Sequence, residues 1–415
     1  MTRPAASIAR WLCLAACAAA CAAPRAPRRF EARPAAGDPD ARPAAGQTPC
    51  EAATRPWPAV PASVERRIEA QMRDGRLPGL AACLVVDGDI AWCGGFGTTE
   101  GGGGDPVTPD TPFLLASVSK LVTATAVGRL AADGALDLDD DIDAIVPFRV
   151  EHPRSDAPIT LRRALAHAGG VDDNGRVMDR YYADDRDPRR ALLDITEAYF
   201  DPAGADHHPK ANFTPAGPGR VSRYSNMGYA LLGAAVEAHT GVDFADWTER
   251  ELLHPLGLTH TAWRLADHDV STLAEPTSHR NGEWKGHGHY TFADYPNGGL
   301  RSSARDTACL LAAFARGGSL YGQTVLPAED LYGMMASAYP GLDPYQGLGW
   351  GYSYMGGGPP WVGHSGGEAG VATDAYLQQD GALGIVVLTN GDWRTGREIE
   401  EIERVLIGWG REMGG

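Results

Sequence analysis

Apolar positions follow two different rhythms along the chain. Near both ends they alternate or run in short blocks suited to strands, and between them they recur at helical spacing. A short amphipathic helix is predicted from about Ala62 to Arg73, ending at Asp74-Gly75. Two β-runs follow, Gly79 to Val86 and Ile90 to Phe96, joined by Asp87-Gly88 as in a hairpin. Gly101 to Gly104 lacks the following Lys-Ser/Thr and helix of a phosphate cradle, so it reads as a surface loop. From Ser117 to about Ala338 helices dominate: Leu121 to Ala132, stopped by Asp133-Gly134; Leu161 to Ala166, capped by Thr160; Met227 to His239; and Ser303 to Gly317. The Asp-, Arg- and His-rich stretch of about 172–213 carries few aliphatics and is expected to be an irregular rim or lid. Strands return in Leu348 to Tyr354, Trp361 to His364, Val371 to Gln378 and Leu383 to Thr389. The chain closes on a helix from Arg394 to Met413, with Ile399, Ile402, Val405, Leu406 and Trp409 on one stripe. The predicted class is α+β: an antiparallel sheet drawn from both chain ends, flanked by the terminal helices, with a mostly helical subdomain inserted between.

Composition narrows the function classes. The 415 residues carry a net charge of −16, which argues against nucleic acid as a partner, and no apolar run reaches the length of a membrane span. Residues 1–23 read as an export signal: Arg3 and Arg10, then Trp11 to Ala23. Leu14-Ala15-Ala16-Cys17 resembles a bacterial lipobox, with Ala18-Ala19-Ala20-Cys21 as a second candidate, so lipidation at Cys17 or Cys21 and a membrane-anchored, exported protein are expected. Residues 24–57, rich in Pro, Ala, Arg and Asp, read as a flexible tether, which leaves 58–415 as the folded domain. Cys83 and Cys93 flank the predicted hairpin turn, but a two-residue loop pairs 83 with 92, placing the two sulfurs on opposite faces. They are therefore not assigned to each other. His287 and His289 lack a third ligand and read as loop or strand histidines; no metal is expected.

The candidate chemistry centres on Ser117-Val118-Ser119-Lys120. In a helix, residues three apart share a face, so the Ser117 hydroxyl and the Lys120 amine meet. A serine hydroxyl needs a base, and a lysine becomes one when its surroundings lower its pKa. Of 37 basic residues only Lys120, Lys210 and Lys285 are lysine. Arginine cannot serve as a base, so the choice of lysine at 120 is informative. Tyr224-Ser225-Asn226 lies at a loop-to-helix junction, where a tyrosinate acts as general base and an asparagine amide orients a carbonyl or Lys120. His364-Ser365-Gly366-Gly367 ends a strand whose glycines allow a substrate backbone to approach.

Taken in order, Ser117-x-x-Lys120, Tyr224-x-Asn226 and His364-x-Gly366 resemble the serine β-lactamase and penicillin-binding-protein superfamily, in its class C β-lactamase-like branch. The likeness extends over about residues 60 to 413. It includes Pro78-Gly79, Leu136 to Asp141, His167-x-Gly169-Gly170, Tyr229-x-Leu231-Leu232-Gly233, Pro255-Leu256-Gly257-Leu258 and Gly347-Leu348-Gly349-Trp350. The resemblance implies an acyl-enzyme on Ser117, with Lys120 and Tyr224 sharing the base role and Asn226 orienting the substrate. It also implies an oxyanion hole from the backbone N–H groups of Ser117 and Gly367, and substrate contacts from Ser365 and Gly366. Class C β-lactamases and D,D-peptidases typically carry lysine where this chain has His364. A histidine is mostly neutral at pH 7, which weakens recognition of a β-lactam carboxylate. The acidic residues Asp172, Asp173, Asp184 and Asp185 would further disfavour an anion if they rim the mouth. The expected activity is therefore hydrolysis of a small carboxylic ester, then of a D-amino-acid or peptide amide, with β-lactams third. No cofactor is implied, and the protein is expected to be a monomer acting on a small or short-peptide substrate.

Overall fold

The computed structural model describes residues 42–414. The expected export signal, with its candidate lipidation sites Cys17 and Cys21, and the first part of the expected tether lie outside them. The expected α+β architecture is present. A helix α1 (Ala62–Gly75) precedes the hairpin β1 (Gly79–Val86) and β2 (Asp89–Glu100), and an edge strand β3 (Gly103–Pro106) follows. The inserted block holds α2 (Lys120–Ala132), α3 (Asn226–Thr240) and α4 (Ala304–Ala315). The chain then returns through β4 (Gly351–Ser353), β5 (Trp361–Glu368), β6 (Val371–Gln378) and β7 (Leu383–Thr389) to α5 (Gly396–Met413). The seven strands lie in the order β4-β5-β6-β7-β1-β2-β3, so the last long strand pairs antiparallel with the first.

Both faces of the sheet are covered, and strand alternation sorts side chains between them. Leu80, Ala82, Leu84 and Val86 of β1 pack with Ile68 and Met72 of α1 and with Ile399, Ile402 and Leu406 of α5. The intervening Ala81, Cys83 and Val85 join the larger core under the helical block, with α2, α3 and α4. This is why β1 reads as an unbroken apolar run: every residue of it is buried.

Four local expectations are revised. Residues 48–55, assigned to the tether, belong to the fold: Thr48 caps a short helix over Pro49–Ala52, Cys50 and Ala53 are buried, and Ala53 and Arg55 exchange backbone hydrogen bonds with Ile90. Cys83 and Cys93 form a disulfide. A bulge at Ala91 shifts the hairpin by one residue, so that Leu84 faces Trp92 and Cys83 faces Cys93, which the two-residue loop alone would not give. Part of Gly101 to Gly104, expected as a loop, opens β3 after a tight turn. Within 172–213, Leu192–Phe200 is a buried helix rather than irregular chain.

Candidate active site

Ser117 does not open the long helix directly. It lies in a single 3₁₀ turn, Ala116–Ser119, which runs into α2 at Lys120. In a 3₁₀ turn residues i and i+3 eclipse, so Ser117 and Lys120 are brought together more closely than an α-helical turn would bring them. The turn is braced on several sides. Leu115 N–H donates to Leu300 O (2.8 Å), Thr373 Oγ1 of β6 donates to Leu115 O (2.6 Å), and Ser119 Oγ accepts from Leu300 N–H (3.1 Å). Ala116 takes φ 46°, a left-handed conformation unusual for a residue with a Cβ, immediately before the nucleophile candidate.

The Lys120 side chain is fully buried and its amine meets three acceptors: Asn297 O (2.6 Å), Asn226 Oδ1 (2.7 Å) and Ser117 Oγ (3.1 Å). The first two accept only from N–H. Contact with Ser117 can run either way: an ammonium donates to the hydroxyl, while a neutral amine takes the hydroxyl proton on its lone pair. Tyr224 stands on the other side, its hydroxyl 2.8 Å from the same Ser117 Oγ. Because Lys120 can only donate to Asn226 Oδ1, the Asn226 amide turns its NH₂ outward as a donor.

Asp173 holds this junction in place. It accepts from Ser225 Oγ (2.9 Å), Asn226 N–H (2.9 Å) and Met227 N–H (3.0 Å), meeting the unpaired donors at the start of α3. Burial pushes its pKa up, and these three donors pull it back. His167, at φ 55°, stacks on Tyr224 with ring centroids 4.3 Å apart and accepts the Ser225 N–H on Nδ1. Burial and the nearby Lys120 charge drive its pKa well down, so the ring behind Tyr224 is neutral.

The third wall is the C-terminal half of β5, which β4 leaves uncovered beyond Gly363. A Cβ on Gly366 would come within 2.3 Å of Leu115 O and 3.1 Å of Ser117 N, so only glycine lets the strand press against the nucleophile turn. Strand alternation puts His364, Gly366 and Glu368 on the Ser117 side of β5. Ser365 is on the opposite face, where its hydroxyl bonds the Tyr376 hydroxyl at 2.8 Å. The expected contact of the Ser365 side chain with substrate is therefore corrected: it supports the strand from behind. Gly367 follows on the opposite face, its Cβ direction toward Trp393. Burial and Lys120 push the His364 pKa down to about 3.

The acidic rim is also revised. Asp173 is the clasp just described, and Asp172 pairs with Arg223 (3.1 Å). Asp184 and Asp185 are exposed, with Asp185 accepting from His289 N–H (2.7 Å). His287 bonds the Ser278 hydroxyl at 2.8 Å. Two further groups went unseen in the sequence. Asn297 supplies the carbonyl that holds Lys120, and its side chain donates to buried Asp294 Oδ2 (2.8 Å), whose pKa burial raises to about 7. Neither belongs to a motif with recognisable spacing; the only sequence cue was the turn Tyr295-Pro296-Asn297-Gly298-Gly299.

Residues 64–407 match the Beta-lactamase family model. Over 202 residues the chain is 28% identical to "Protein flp" of Staphylococcus aureus (strain N315), covering 48% of this chain and 38% of that protein. It is 32% identical over 195 residues to "Penicillin-binding protein 4" of Amycolatopsis lactamdurans, covering 47% of each. The chain thus spans less than half the length of these curated relatives. Among solved structures, the octameric penicillin-binding protein homologue from Pyrococcus abyssi superposes with a TM-score of 0.69 at 24% identity, over 83% of this chain and 77% of that one.

Proposed function

The chain belongs to the beta-lactamase family of serine hydrolases, and we propose that within it the protein forms an acyl-enzyme on Ser117 and hydrolyses a carboxylic ester or an amino-acid or peptide amide. One observation carries this reading: a single hydroxyl, Ser117 Oγ, is held between two groups able to take its proton, Lys120 Nζ and the Tyr224 hydroxyl. The oxygen attacks the substrate carbonyl and its proton passes into the Lys120–Tyr224 pair. The oxyanion sits against the backbone N–H groups of Ser117 and Gly367, whose strand the glycine at 366 brings close. Asn226 NH₂ donates to the substrate's acyl side. The leaving group departs with the proton returned through Tyr224, and water activated by Tyr224 then attacks the ester carbonyl on Ser117. In this reading the neutral His364 makes uncharged esters better substrates than carboxylate-bearing β-lactams, and the export signal expected in residues 1–23 would send the reaction to the cell envelope.

The test is kcat/KM of purified residues 42–415 on a short-chain nitrophenyl ester and a chromogenic cephalosporin, with Ser117→Ala beside them. Ester turnover that vanishes in Ser117→Ala, with an acyl adduct trapped on the wild type by mass spectrometry, supports the reading. Turnover unaffected by Ser117→Ala overturns it. Stoichiometric acylation without turnover would make the protein a covalent binding module, and cephalosporin turnover at or above the ester rate would make it a β-lactamase.

A further inference from the structure

The direction in which a substrate crosses the site follows from where protons move. Tyr224, the group that returns a proton to the leaving group, has its ring centroid 6.1 Å from that of His364. On the acyl-enzyme reading the leaving group lies on this Tyr224–His364 side of the open β5 edge. The acyl group must extend the other way, past Gly366 and Gly367. At a rise of about 3.3 Å per residue, the next side chain on that face, Glu368, stands about 7 Å beyond Gly366.

Glu368 is held in a defined pose. Its Oε2 accepts from the Tyr182 hydroxyl (2.9 Å) and its Oε1 from Ala369 N–H (3.2 Å). Both Glu368 and Tyr182 are half-buried and so keep a solvent-facing side. Behind them Tyr290 and Phe292 are packed with Ala116, the residue before the nucleophile, and the Tyr290 hydroxyl donates to Ala369 O (2.8 Å). Burial raises the Glu368 pKa, while Tyr182, Ala369 N–H and the Lys120 charge lower it. A carboxylate has about four lone-pair sites, and the two donors named occupy two. Close by, buried Asp294 Oδ1 has no partner among the described residues. The acyl side of the nucleophile is thus anionic and aromatic, the combination that receives an ammonium group.

We infer that Glu368, backed by the Tyr182 ring, determines specificity on the acyl side by binding an amine of the substrate, so that the preferred substrates are esters or amides of amino acids with a free α-amino group. This rests on the acyl-enzyme reading above. An α-ammonium donates to Glu368 in a charge-assisted hydrogen bond, whereas an uncharged acyl group of the same size desolvates the carboxylate without replacing its water. An acyl group bearing its own carboxylate is repelled.

The experiment compares 2-aminobutyryl and butyryl esters of one alcohol, both enantiomers of the former, in wild type, Glu368→Gln and Tyr182→Phe. The readout is the ratio of kcat/KM for amine over non-amine ester. The expected result is a ratio above one in the wild type that falls on the order of 10- to 100-fold in Glu368→Gln, through KM, as for a lost charged hydrogen bond. Tyr182→Phe, which keeps the ring, should lower it less. A ratio unchanged within twofold in Glu368→Gln, with both esters slowed alike, makes Glu368 a fastener of the 182–183 segment and overturns the proposal. A second arm does not depend on turnover: calorimetric binding of 2-aminobutyramide and butyramide to Ser117→Ala, with and without Glu368→Gln. Amine-selective binding lost in the double variant upholds the site even if the acyl-enzyme reading fails; absence of amine selectivity overturns it even if esters are hydrolysed.

Discussion

His364 donates Nδ1–H to the carbonyl oxygen of Ser365, 2.6 Å away. A carbonyl cannot donate, so the proton is on Nδ1 and Nε2 is left as an acceptor. With its pKa near 3 the ring stays neutral through the physiological range. A lysine here would place a cation where the leaving-group side of a β-lactam carries its carboxylate. His364→Lys is therefore predicted to raise the ratio of cephalosporin to neutral-ester kcat/KM by about tenfold or more, as expected for one added charge-assisted contact. An unchanged ratio would show that the carboxylate does not lie at residue 364.

Asp173 gives the second prediction. Its two oxygens take three donors from Ser225, Asn226 and Met227. Asp173→Asn keeps the shape but turns an NH₂ toward at least one of those donors, which opposes the start of α3. The expected loss is about 1–3 kcal/mol of stability. A larger fall in kcat than in KM should accompany it, because Tyr224 and Asn226 shift relative to Ser117. Urea midpoints with steady-state kinetics check both, and normal kcat in a destabilised protein would limit Asp173 to a structural role.

How much of this was legible in the sequence depends on range. The strands, the main helices and the motifs whose Ser117, Lys120, Tyr224 and Asn226 side chains meet in the fold were readable because periodicity and motif spacing are local properties. Two failures have the same origin in what neighbouring elements impose. The Cys83–Cys93 pair was missed because a bulge at Ala91, invisible in hydrophobic pattern, changes register by one residue and so exchanges faces. Residues 48–55 looked like linker because their composition is polar and proline-rich, yet Ala53 and Arg55 hydrogen-bond to Ile90 and Cys50 enters the core. Ser365 was assigned to the substrate from its motif, and alternation along β5 turned it away.

The disulfide yields a third prediction. It closes a hairpin loop ten residues apart in sequence, within a sheet already covered on both faces. Chain-entropy arguments put the effect of so short a loop at about 2–3 kcal/mol. Replacing both cysteines by serine should lower the unfolding free energy extracted from urea melts by that amount, and reductant should affect the wild type alone. Since neither sulfur approaches Ser117 through any described hydrogen bond, ester turnover per folded molecule should persist. Loss of turnover in soluble, folded double variant would contradict this separation of stability from chemistry.

The last prediction concerns a buried pair of carboxyls on the far side of β5. Asp374, opposite Ser365 in the strand register, meets Glu403 of α5, and Glu403 is only 4% exposed. Burial pushes both pKa values up, Asp374 to about 7 and Glu403 well above the usual carboxylate range; hydrogen bonds from the Ser365 hydroxyl and from Glu403 relieve Asp374, while the Asp374 and Glu400 charges raise Glu403 further and Arg404 offsets them. The folded state therefore holds a proton that the unfolded chain releases near pH 4. The sign follows: the stabilisation is fully present below the unfolded pKa and is lost as pH rises toward and through about 7. Urea midpoints of the wild type should fall across pH 4 to 7 relative to Asp374→Asn, which donates to Glu403 without titrating. Because Ser365 sits between this pair and the catalytic edge of β5, kcat should be more sensitive to pH above 7 in the wild type than in Asp374→Asn. Parallel stability curves for the two proteins would mean that the pair does not share a proton in the fold.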